Sequence, residues 1–338
     1  MLNSNGATAE SRVMTVSFII PVHNVAPYLP ECLDSILMQS LTDYEVILVN
    51  NGSTDDSLAV CEAFAGQHDN VRVLDLAESG VSLARNEGVK VAKGEYICFL
   101  DADDYYIADF AGEFYRRCKE NDLDMIRGVY CIFDEESGEY RHKDKLTTSY
   151  DNTVISGREF LVNSAREQTN EVVPWLGFFK TSFLREHELA FPVGIAYEED
   201  QIFFLRALLA DGCRAMQVPT EFYAYRQRIG SATKTPTLKQ AQDVGFIVDR
   251  ELELARSVQN KTVRRAAKCY AGSSFYQMTC IYGRVPKEQR RAIRRISSFR
   301  TKLSCSLHAV TKHQRMKNAL FTFFPWLVGV VYDLRKRK

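Results

Sequence analysis

Residues 95–104 read EYICFLDADD, an apolar run that ends abruptly in acidic residues. A short apolar run of this kind is typical of a strand buried in a sheet. Carboxylates beside such a strand are unfavourably placed unless they are paired or bind a metal. Hard divalent cations prefer oxygen ligands and leave positions for phosphate oxygens. One or two of the aspartates at 101, 103 and 104 could therefore hold Mn²⁺ or Mg²⁺ against a diphosphate, and the alternative is an Asp-rich turn or helix cap.

The residues upstream of this run alternate between strand and helix patterns. Short apolar runs predict four strands, at residues 16–21, 44–49, 71–76 and 95–100. Helical spacing of apolar residues lies between them, which predicts βαβ units and a doubly wound, mainly parallel sheet of the α/β class. Ligands bind such sheets beyond the carboxyl ends of the strands. Polar clusters follow three of these ends, at residues 23–24, 50–51 and 101–104.

The later part of the chain is mixed. Apolar runs predict further strands at residues 125–133, 172–179 and 213–218. Ser156 and Glu159 form a capping box, which predicts a helix start, and apolar spacing predicts a helix over 199–210. Beyond residue 237 the pattern is helical and increasingly basic.

Two further clusters could contribute chemistry. Residues 198–200 read EED at the start of a helix, where acids complement the helix dipole or supply a general base that faces a cleft. Residues 225–231 read YRQRIGS, where two arginines and a serine could clamp phosphate oxygens. A solvated basic loop is the alternative for the second cluster.

The order of these clusters resembles family 2 of the inverting glycosyltransferases, which have the GT-A fold. The resemblance rests on PVHN at 21–24, VNNGSTD at 49–55, ARN-x-G at 84–88, GEYI at 94–97, LDADD at 100–104, ED-x-x-F at 199–203 and YR-x-R-x-x-S at 225–231. It spans residues 16–231, about two thirds of the chain. It implies transfer of a sugar from a nucleotide-sugar, with UDP as the expected carrier, to an acceptor hydroxyl.

The resemblance also implies a role for each matching residue. Asp200 would be the general base, and Asp103 would be the chief metal ligand with Asp101. Trp175 and Glu199 are expected on the acceptor side, although a buried core position is the alternative for the tryptophan. The donor would contact Pro21, Val22, His23, Asn24, Asn50, Asn51, Ser53, Asp55, Arg85, Asp101, Ala102, Arg226, Arg228 and Ser231.

One departure from the family pattern concerns the base-binding turn. The family usually has at least one Asp at positions 50–51, and this chain has Asn at both. An amide oxygen can still accept the uracil N–H, because Asn carries both an acceptor and donors. The departure therefore bears on which base is bound and leaves a nucleotide donor expected.

Other functions fit the sequence less well. A dehydrogenase would need G-x-G-x-x-G after the first strand, and a nucleotidyltransferase would need a Gly-rich phosphate loop there. The chain has PVHNV at residues 21–25 instead. A non-catalytic, sugar-nucleotide-binding partner subunit is the alternative to an enzyme, and the retained Asp101, Asp103 and Asp200 argue against it.

The formal net charge of zero conceals a strong asymmetry. Residues 284–338 contain fifteen Lys+Arg and two acidic residues, a net charge of +13, and the remaining residues carry −13. This basic segment, with the apolar run at 319–332, predicts contact with an anionic membrane surface. A helical cap on the catalytic domain is the alternative. No motif predicts nucleic-acid binding.

These patterns predict a domain organisation and a location. We expect a disordered tail at residues 1–14, a catalytic domain at 15–235 and a helical basic region at 236–338. Within the catalytic domain, 15–104 would bind the nucleotide and 105–235 the acceptor. The apolar run at 319–332 is too short to span a bilayer, and nine cysteines without a C-x-x-C pair indicate reduced thiols. We therefore expect a cytoplasmic protein at the inner face of the cell membrane, which extends a lipid-linked glycan in cell-surface polysaccharide synthesis.

Overall fold

The computed structural model describes residues 14–142, 147–169, 173–228 and 236–335. Ser231 and most of the predicted N-terminal tail lie outside these residues. The described residues form ten strands: β1 (Val16–Val22), β2 (Tyr44–Asn51), β3 (Val71–Leu76), β4 (Tyr96–Phe99), β5 (Tyr105–Tyr106), β6 (Met125–Asp134), β7 (Glu139–Arg141), β8 (Ile155–Ser156), β9 (Gly177–Lys180) and β10 (Arg214–Gln227).

Helices alternate with these strands and then dominate the end of the chain. In the described residues they are α1 (Leu29–Leu37), α2 (Ser57–Ala65), α3 (Val81–Val91), α4 (Ala111–Asn121), α5 (Gly157–Glu167), α6 (Thr181–Glu186), α7 (Glu199–Leu209), α8 (Leu238–Ser257), α9 (Lys261–Arg284), α10 (Lys287–Ile296), α11 (Phe299–Leu307), α12 (Lys312–Phe323) and α13 (Pro325–Arg335).

One sheet, with strand order β3-β2-β1-β4-β9-β6-β10-β5, organises the described residues up to Gln227, and β7 and β8 pair with β6 and β10. Strands β1 to β4 are parallel, with Val16 opposite both Tyr44 and Tyr96. Strand β9 runs antiparallel to β4 and β6, while β6 and β10 are parallel to each other. The predicted alternation and parallel order are confirmed for the first half, and the second half is mixed.

Both faces of the sheet are covered, as a doubly wound sheet requires. Side chains alternate along a strand, so Phe18 and Ile20 join the core that packs under α1 and α4. Ile19 points to the opposite face and joins the core shared with α3 and α5–α7. The two cores lie on opposite faces of the sheet, and β1 and β4 run between them.

The segment predicted as a strand at 172–179 differs in detail. Residues Pro174–Leu176 form one 3₁₀ turn, and the strand begins only at Gly177. A Cβ on Gly177 would lie 1.9 Å from the carbonyl oxygen of Ile126, so only glycine allows β9 to approach β6 this closely. Pairing with β6 therefore sets where the strand starts.

The last strand is longer than predicted. Strand β10 continues to Gln227, past the predicted end at residue 218. Its register with β6 shifts between Gln217 and Tyr223, around Pro219. Proline lacks the N–H of a regular ladder, so it produces an irregularity that resembles a strand end in the sequence.

The C-terminal helices form a third core. Side chains of α8 and α9 supply most of this core, and Ile293, Cys305, Phe321 and Val328 extend it into the later helices. The apolar run at 319–332 is divided by Pro325 between α12 and α13. Among the described residues, no helix combines the length and apolar character that a membrane crossing needs.

Candidate active site

A cleft of about 660 Å³ opens at the carboxyl ends of β1 and β4. It is bounded by the ends of these strands, the start of α3, the start of α7, strand β10 and one end of α9. Its lining residues are Pro21, His23, Val25, Val81, Arg85, Asp101, Ala102, Asp103, Tyr130, Val173, Trp175, Ala196, Tyr197, Glu198, Glu199, Asp200, Tyr225, Arg228, Gln277 and Arg284.

The acidic turn after β4 divides into two functional parts. Asp101 and Asp103 line the cleft, with side chains 26% and 27% exposed. Asp104 is buried and accepts hydrogen bonds from the Tyr223 hydroxyl (2.6 Å) and the Arg226 backbone N–H (2.7 Å). Asp104 therefore fixes β10 against the turn, and its two neighbours are left to face the cleft.

The residues in this turn fit a divalent cation. Asp103 accepts from Arg228 Nε at 2.8 Å, and Asp101 accepts from Arg85 Nη2 at 2.8 Å through its Oδ1. Burial raises the pKa of Asp101, and the Arg85 guanidinium opposes this rise. Two carboxylates that share one solvent-accessible wall are the oxygen donors that Mn²⁺ and Mg²⁺ prefer.

Arg85 connects Asp101 at the end of β4 to Glu199 at the start of α7. Its Nη1 donates to Glu199 at 2.8 Å, and its Nη2 donates to Asp101. The guanidinium is buried and lies 5.2 Å from the ring centroid of Phe191. Because its planar fork is committed to two carboxylates, Arg85 positions both of them from α3.

Asp200 lies in the first turn of α7, on the cleft wall. Burial and then the negative charge of Glu199 raise the pKa of Asp200 to about 8, and Arg85 opposes the rise. Glu198, two residues before Asp200, has a strained backbone, because its φ of +65° lies in the left-handed region. Strain of this kind is found at functional sites where the surrounding structure holds the backbone.

The predicted donor-binding turns lock the ends of β1 and β2 together. His23 Nδ1 lies 2.8 Å from the backbone oxygen of Asn51. Asn24 Oδ1 accepts from the Thr54 N–H at 2.7 Å, and its own N–H donates to Ser53 Oγ at 3.2 Å. Asp55 accepts from the Ala26 N–H at 3.1 Å. Val22 is buried in β1, whereas Pro21, His23 and Ala102 line the cleft.

The two asparagines at the predicted base-binding turn, Asn50 and Asn51, are both buried. Asn50 Nδ2 donates to Asp75 Oδ1 at 2.6 Å, and Asn51 Oδ1 accepts from the Gly80 N–H at 2.7 Å. Asp75 at the end of β3 thus brings a carboxylate beside the position where the family usually has one. Sequence reasoning missed Asp75, because its position follows only from the register of β2 against β3.

The two arginines of the basic loop occupy different places. Arg228 lines the cleft and pairs with Asp103. Arg226 is not part of the cleft lining: it pairs with Glu31, donates to the Asp103 backbone oxygen at 2.9 Å and lies against aromatic rings. The structure therefore separates the predicted phosphate clamp into a cleft residue and a residue that supports it.

Aromatic side chains form part of the cleft wall. Trp175 stacks on Tyr223 with ring centroids 4.1 Å apart and meets Tyr130 edge-on at 4.9 Å. The tryptophan is buried, yet it forms part of the cleft lining. The core position is therefore confirmed for Trp175, and its role toward an acceptor stays a prediction.

Helix α9 contributes residues that sequence reasoning missed. Gln277 and Arg284 reach the cleft from the C-terminal region, and Tyr197 reaches it from the loop before α7. An amphipathic helix pattern does not reveal which end of the helix meets a distant loop. For Tyr197 the neighbouring EED cluster was an available signal.

Comparisons with known proteins identify the family of this chain. The model of glycosyl transferase family 2 matches residues 17–185. The uncharacterized glycosyltransferase EpsJ of Bacillus subtilis (strain 168) is 28% identical over 313 residues, which cover 89% of this chain and 88% of the relative. Glycosyltransferase GlyG of Streptococcus pneumoniae is 29% identical over 251 residues, which cover 70% of this chain and 79% of the relative.

The fold also has a solved counterpart. The crystal structure of S. aureus TarS 1-349 in complex with UDP-GlcNAc superposes with a TM-score of 0.64 at 18% identity, covering 94% of this chain and 92% of that one. The predicted GT-A fold with a C-terminal helical extension is confirmed by this likeness. Since the family model covers half of the chain, the protein belongs to glycosyl transferase family 2 and is a glycosyltransferase.

Proposed function

We propose that the protein transfers a sugar from a UDP-sugar to an acceptor hydroxyl with inversion at the anomeric carbon. One observation carries the proposal: Arg85 ties Asp101, on the predicted donor side, to Glu199, which adjoins the predicted base Asp200. Groups for the leaving diphosphate and for the attacking hydroxyl therefore share one wall of one cleft. Inversion needs only a base and a stabilised leaving group, so we assign no protein nucleophile.

The donor side would stabilise negative charge as the diphosphate departs. Asp103 and Asp101 would hold Mn²⁺ or Mg²⁺, which when bound supplies a Lewis acid for phosphate oxygens. Arg228 lies at the same wall and can donate to a phosphate oxygen once its pairing with Asp103 is exchanged. Pro21, His23, Asn50 and Asn51 would form the nucleoside end of the site, with Asn50 held by Asp75.

The acceptor side would remove one proton. Asp200 would accept it from the attacking hydroxyl, and the pKa of about 8 matches proton transfer near neutral pH. Trp175, Glu199 and the α9 residues Gln277 and Arg284 would surround the acceptor. The intact Asp101, Asp103 and Asp200 in one cleft favour this interpretation over a non-catalytic, nucleotide-sugar-binding partner subunit.

The substrate classes are supported by relatives. The TarS structure holds UDP-GlcNAc, which supports UDP as the carrier. The poly(ribitol-phosphate) beta-glucosyltransferase of Bacillus spizizenii is 29% identical over 314 residues, which cover 81% of this chain and 46% of the relative. That name supports a cell-surface polymer as product. We propose a lipid-linked glycan as the acceptor, presented at the inner face of the cell membrane.

A donor screen tests the proposal. UDP-, GDP- and dTDP-sugars are incubated with the protein with and without Mn²⁺, and the released nucleotide is measured. We expect release from a UDP-sugar that depends on Mn²⁺ or Mg²⁺. Asp103→Ala and Asp200→Asn should each nearly abolish turnover.

Donor binding separates the two variants. Asp200→Asn should still bind the donor in calorimetric titration, while Asp103→Ala should lose metal-dependent donor binding. A folded Asp200→Asn protein that keeps most of its activity would show that another group is the base. Release from only a GDP- or dTDP-sugar would exclude UDP as the carrier.

A further inference from the structure

The C-terminal helices expose several large apolar side chains. We define this aromatic face by Phe299, Leu303, Phe323, Phe324, Trp326 and Val330, all of them exposed. Trp326 is 63% exposed and Phe324 is 54% exposed. Large apolar side chains concentrated at one place on a protein surface mark an interaction site rather than ordinary scatter.

The members of the aromatic face are neighbours in space. The rings of Phe299 on α11 and Phe323 on α12 lie 6.0 Å apart, centroid to centroid. Leu303 follows Phe299 by one helical turn, and Val330 follows Trp326 by one turn. The face therefore extends from α11 across the α12–α13 junction and along α13.

Cations border this face. Arg294, Arg295 and Arg300 are exposed at the junction of α10 and α11. Lys302, one residue from Leu303, donates to the Arg294 backbone oxygen, which brings the end of α10 beside the face. Aromatic side chains next to arginines and lysines match the boundary between lipid headgroups and acyl chains.

The charge of the C-terminal segment favours a membrane over a second copy of the chain as the partner of the aromatic face. Residues 284–338 carry +13, so two copies that meet through this region would repel each other. An anionic lipid surface attracts the same charges and repels the −13 remainder of the chain. We infer that the aromatic face inserts into the headgroup region of an anionic membrane and orients the protein on it.

The face is close to the active-site cleft. Gly283 packs so tightly on Tyr332 of α13 that a Cβ would lie 2.2 Å from its ring, and Arg284 next to it lines the cleft. The cleft and the exposed side of α13 are thus separated by two packed helices, each about 10 Å across. A glycan whose lipid stays in that membrane can reach the cleft, and this last step rests on the proposed function.

Vesicle co-sedimentation tests the inference with the full chain. Vesicles of phosphatidylcholine with phosphatidylglycerol should bind the protein, and phosphatidylcholine alone should bind it at least about tenfold more weakly. Added NaCl should weaken binding. The triple variant Phe323→Ser/Phe324→Ser/Trp326→Ser should lower the partition coefficient more than about tenfold.

Two control variants separate apolar insertion from charge. Met38→Ser/Val193→Ser removes exposed apolar side chains elsewhere and should bind as the wild type does. Arg294→Glu/Arg295→Glu/Arg300→Glu should abolish the preference for anionic vesicles. Equal binding by the triple Ser variant and its control would overturn the inference. So would light scattering that shows a dimer which the triple Ser variant converts to a monomer.

Fluorescence reports insertion directly, because the chain has two tryptophans, Trp175 and Trp326. In a Trp175→Phe protein, emission from Trp326 should shift to shorter wavelength when anionic vesicles are added. An unchanged spectrum would contradict insertion. Calorimetric titration with UDP-sugar in the same preparations keeps the two proposals apart: donor binding without vesicle binding overturns only this inference, and the reverse overturns only the proposed donor.

Discussion

At the scale of single residues, the buried side chain of Arg85 holds two carboxylates of the cleft in place. Arg85 is paired with Asp101 and Glu199, which come from parts of the chain about a hundred positions apart. Removing one partner of a buried ion pair leaves the others uncompensated and costs about 3–5 kcal/mol. Arg85 is therefore both a structural link and a positioning residue.

Substitution of Arg85 tests this link. Arg85→Met should lower the free energy of unfolding by about 3–5 kcal/mol in urea titrations, because two carboxylates lose their partner. Arg85→Lys should fall between this variant and the wild type, since an ammonium cannot serve both carboxylates with a planar fork. Arg116→Met, which removes an exposed ion pair with Glu113, should change stability little. Equal losses of unfolding free energy for Arg85→Met and Arg116→Met would show that the buried ion pairs of Arg85 stabilise the fold no more than an exposed pair does.

The pH dependence of activity tests the assignment of Asp200. A general base must be deprotonated, so kcat/KM should rise with pH as Asp200 loses its proton around the pKa of about 8. Glu199→Gln removes a negative charge that raises this pKa, so the rise should move to lower pH. Initial rates between about pH 6 and pH 9 measure both effects. A flat wild-type profile across that interval would contradict the assignment.

At the scale of elements, α8 and α9 enclose a carboxyl group that the proposed mechanism does not use. Glu251 on α8 is fully buried and accepts from Ser274 Oγ on α9 at 3.1 Å. Burial raises the pKa of Glu251 to about 8 from its ordinary value of 4.5. The folded protein therefore binds a proton here that the unfolded chain has released.

The stability of this helix pair should decrease with rising pH. The contribution of Glu251 is fully present below the unfolded pKa and is lost as pH rises through about 8, with a slope of at most about 1.4 kcal/mol per pH unit. Glu251→Gln keeps a hydrogen-bonding side chain without the titration, so its unfolding midpoint should vary less between about pH 4.5 and pH 8. Glu253→Gln, exposed on the same helix, should retain the wild-type slope.

The elements differ in how well the sequence predicts them. Strands β1, β2 and β4 follow from apolar runs, because a parallel strand buried on both faces is rich in apolar residues. Strand β3 is at the edge of the sheet and is only partly buried, and its apolar residues alternate with Arg72 and Asp75. The start of β9 and the length of β10 could not be predicted, since they depend on the contact of Gly177 with Ile126 and on the irregularity at Pro219. Local patterns carry no information about such distant partners.

The sequence also predicts only part of the candidate active site. Asp101, Asp103 and Asp200 follow motifs with fixed spacing, and the structure places all three in one cleft. Asp75, Gln277 and Arg284 reach the site through strand register or helix packing, which only the folded chain defines. Arg226 carries the family spacing, yet its guanidinium lies among Tyr28, Tyr105 and Phe133.

At the scale of the whole molecule, the charges are divided between two regions. The C-terminal segment of 284–338 has +13 and the rest of the chain has −13. Opposite regions of different molecules attract each other when the Debye length is long, about 30 Å at 0.01 M salt. At about 0.15 M salt the Debye length is near 8 Å and the attraction is screened.

Added salt should therefore weaken the attraction between molecules of the protein. Static light scattering should give attractive interactions between molecules at low ionic strength that weaken as NaCl is added. Arg294→Glu/Arg295→Glu/Arg300→Glu reduces the asymmetry, and its scattering should depend less on salt. Scattering of the wild type that is insensitive to NaCl would contradict the expected attraction.

Helix α9 has a consequence for how relatives of this protein can diverge. Its buried side belongs to the C-terminal core, and its Gln277 and Arg284 end borders the cleft. An exchange of the segment after residue 235 between two related genes would replace a cleft wall together with the helices that carry the aromatic face. Strands β1 to β4 and their donor-side residues would be inherited unchanged. Recombination at this position thus offers a single-step route to a new acceptor with the old donor.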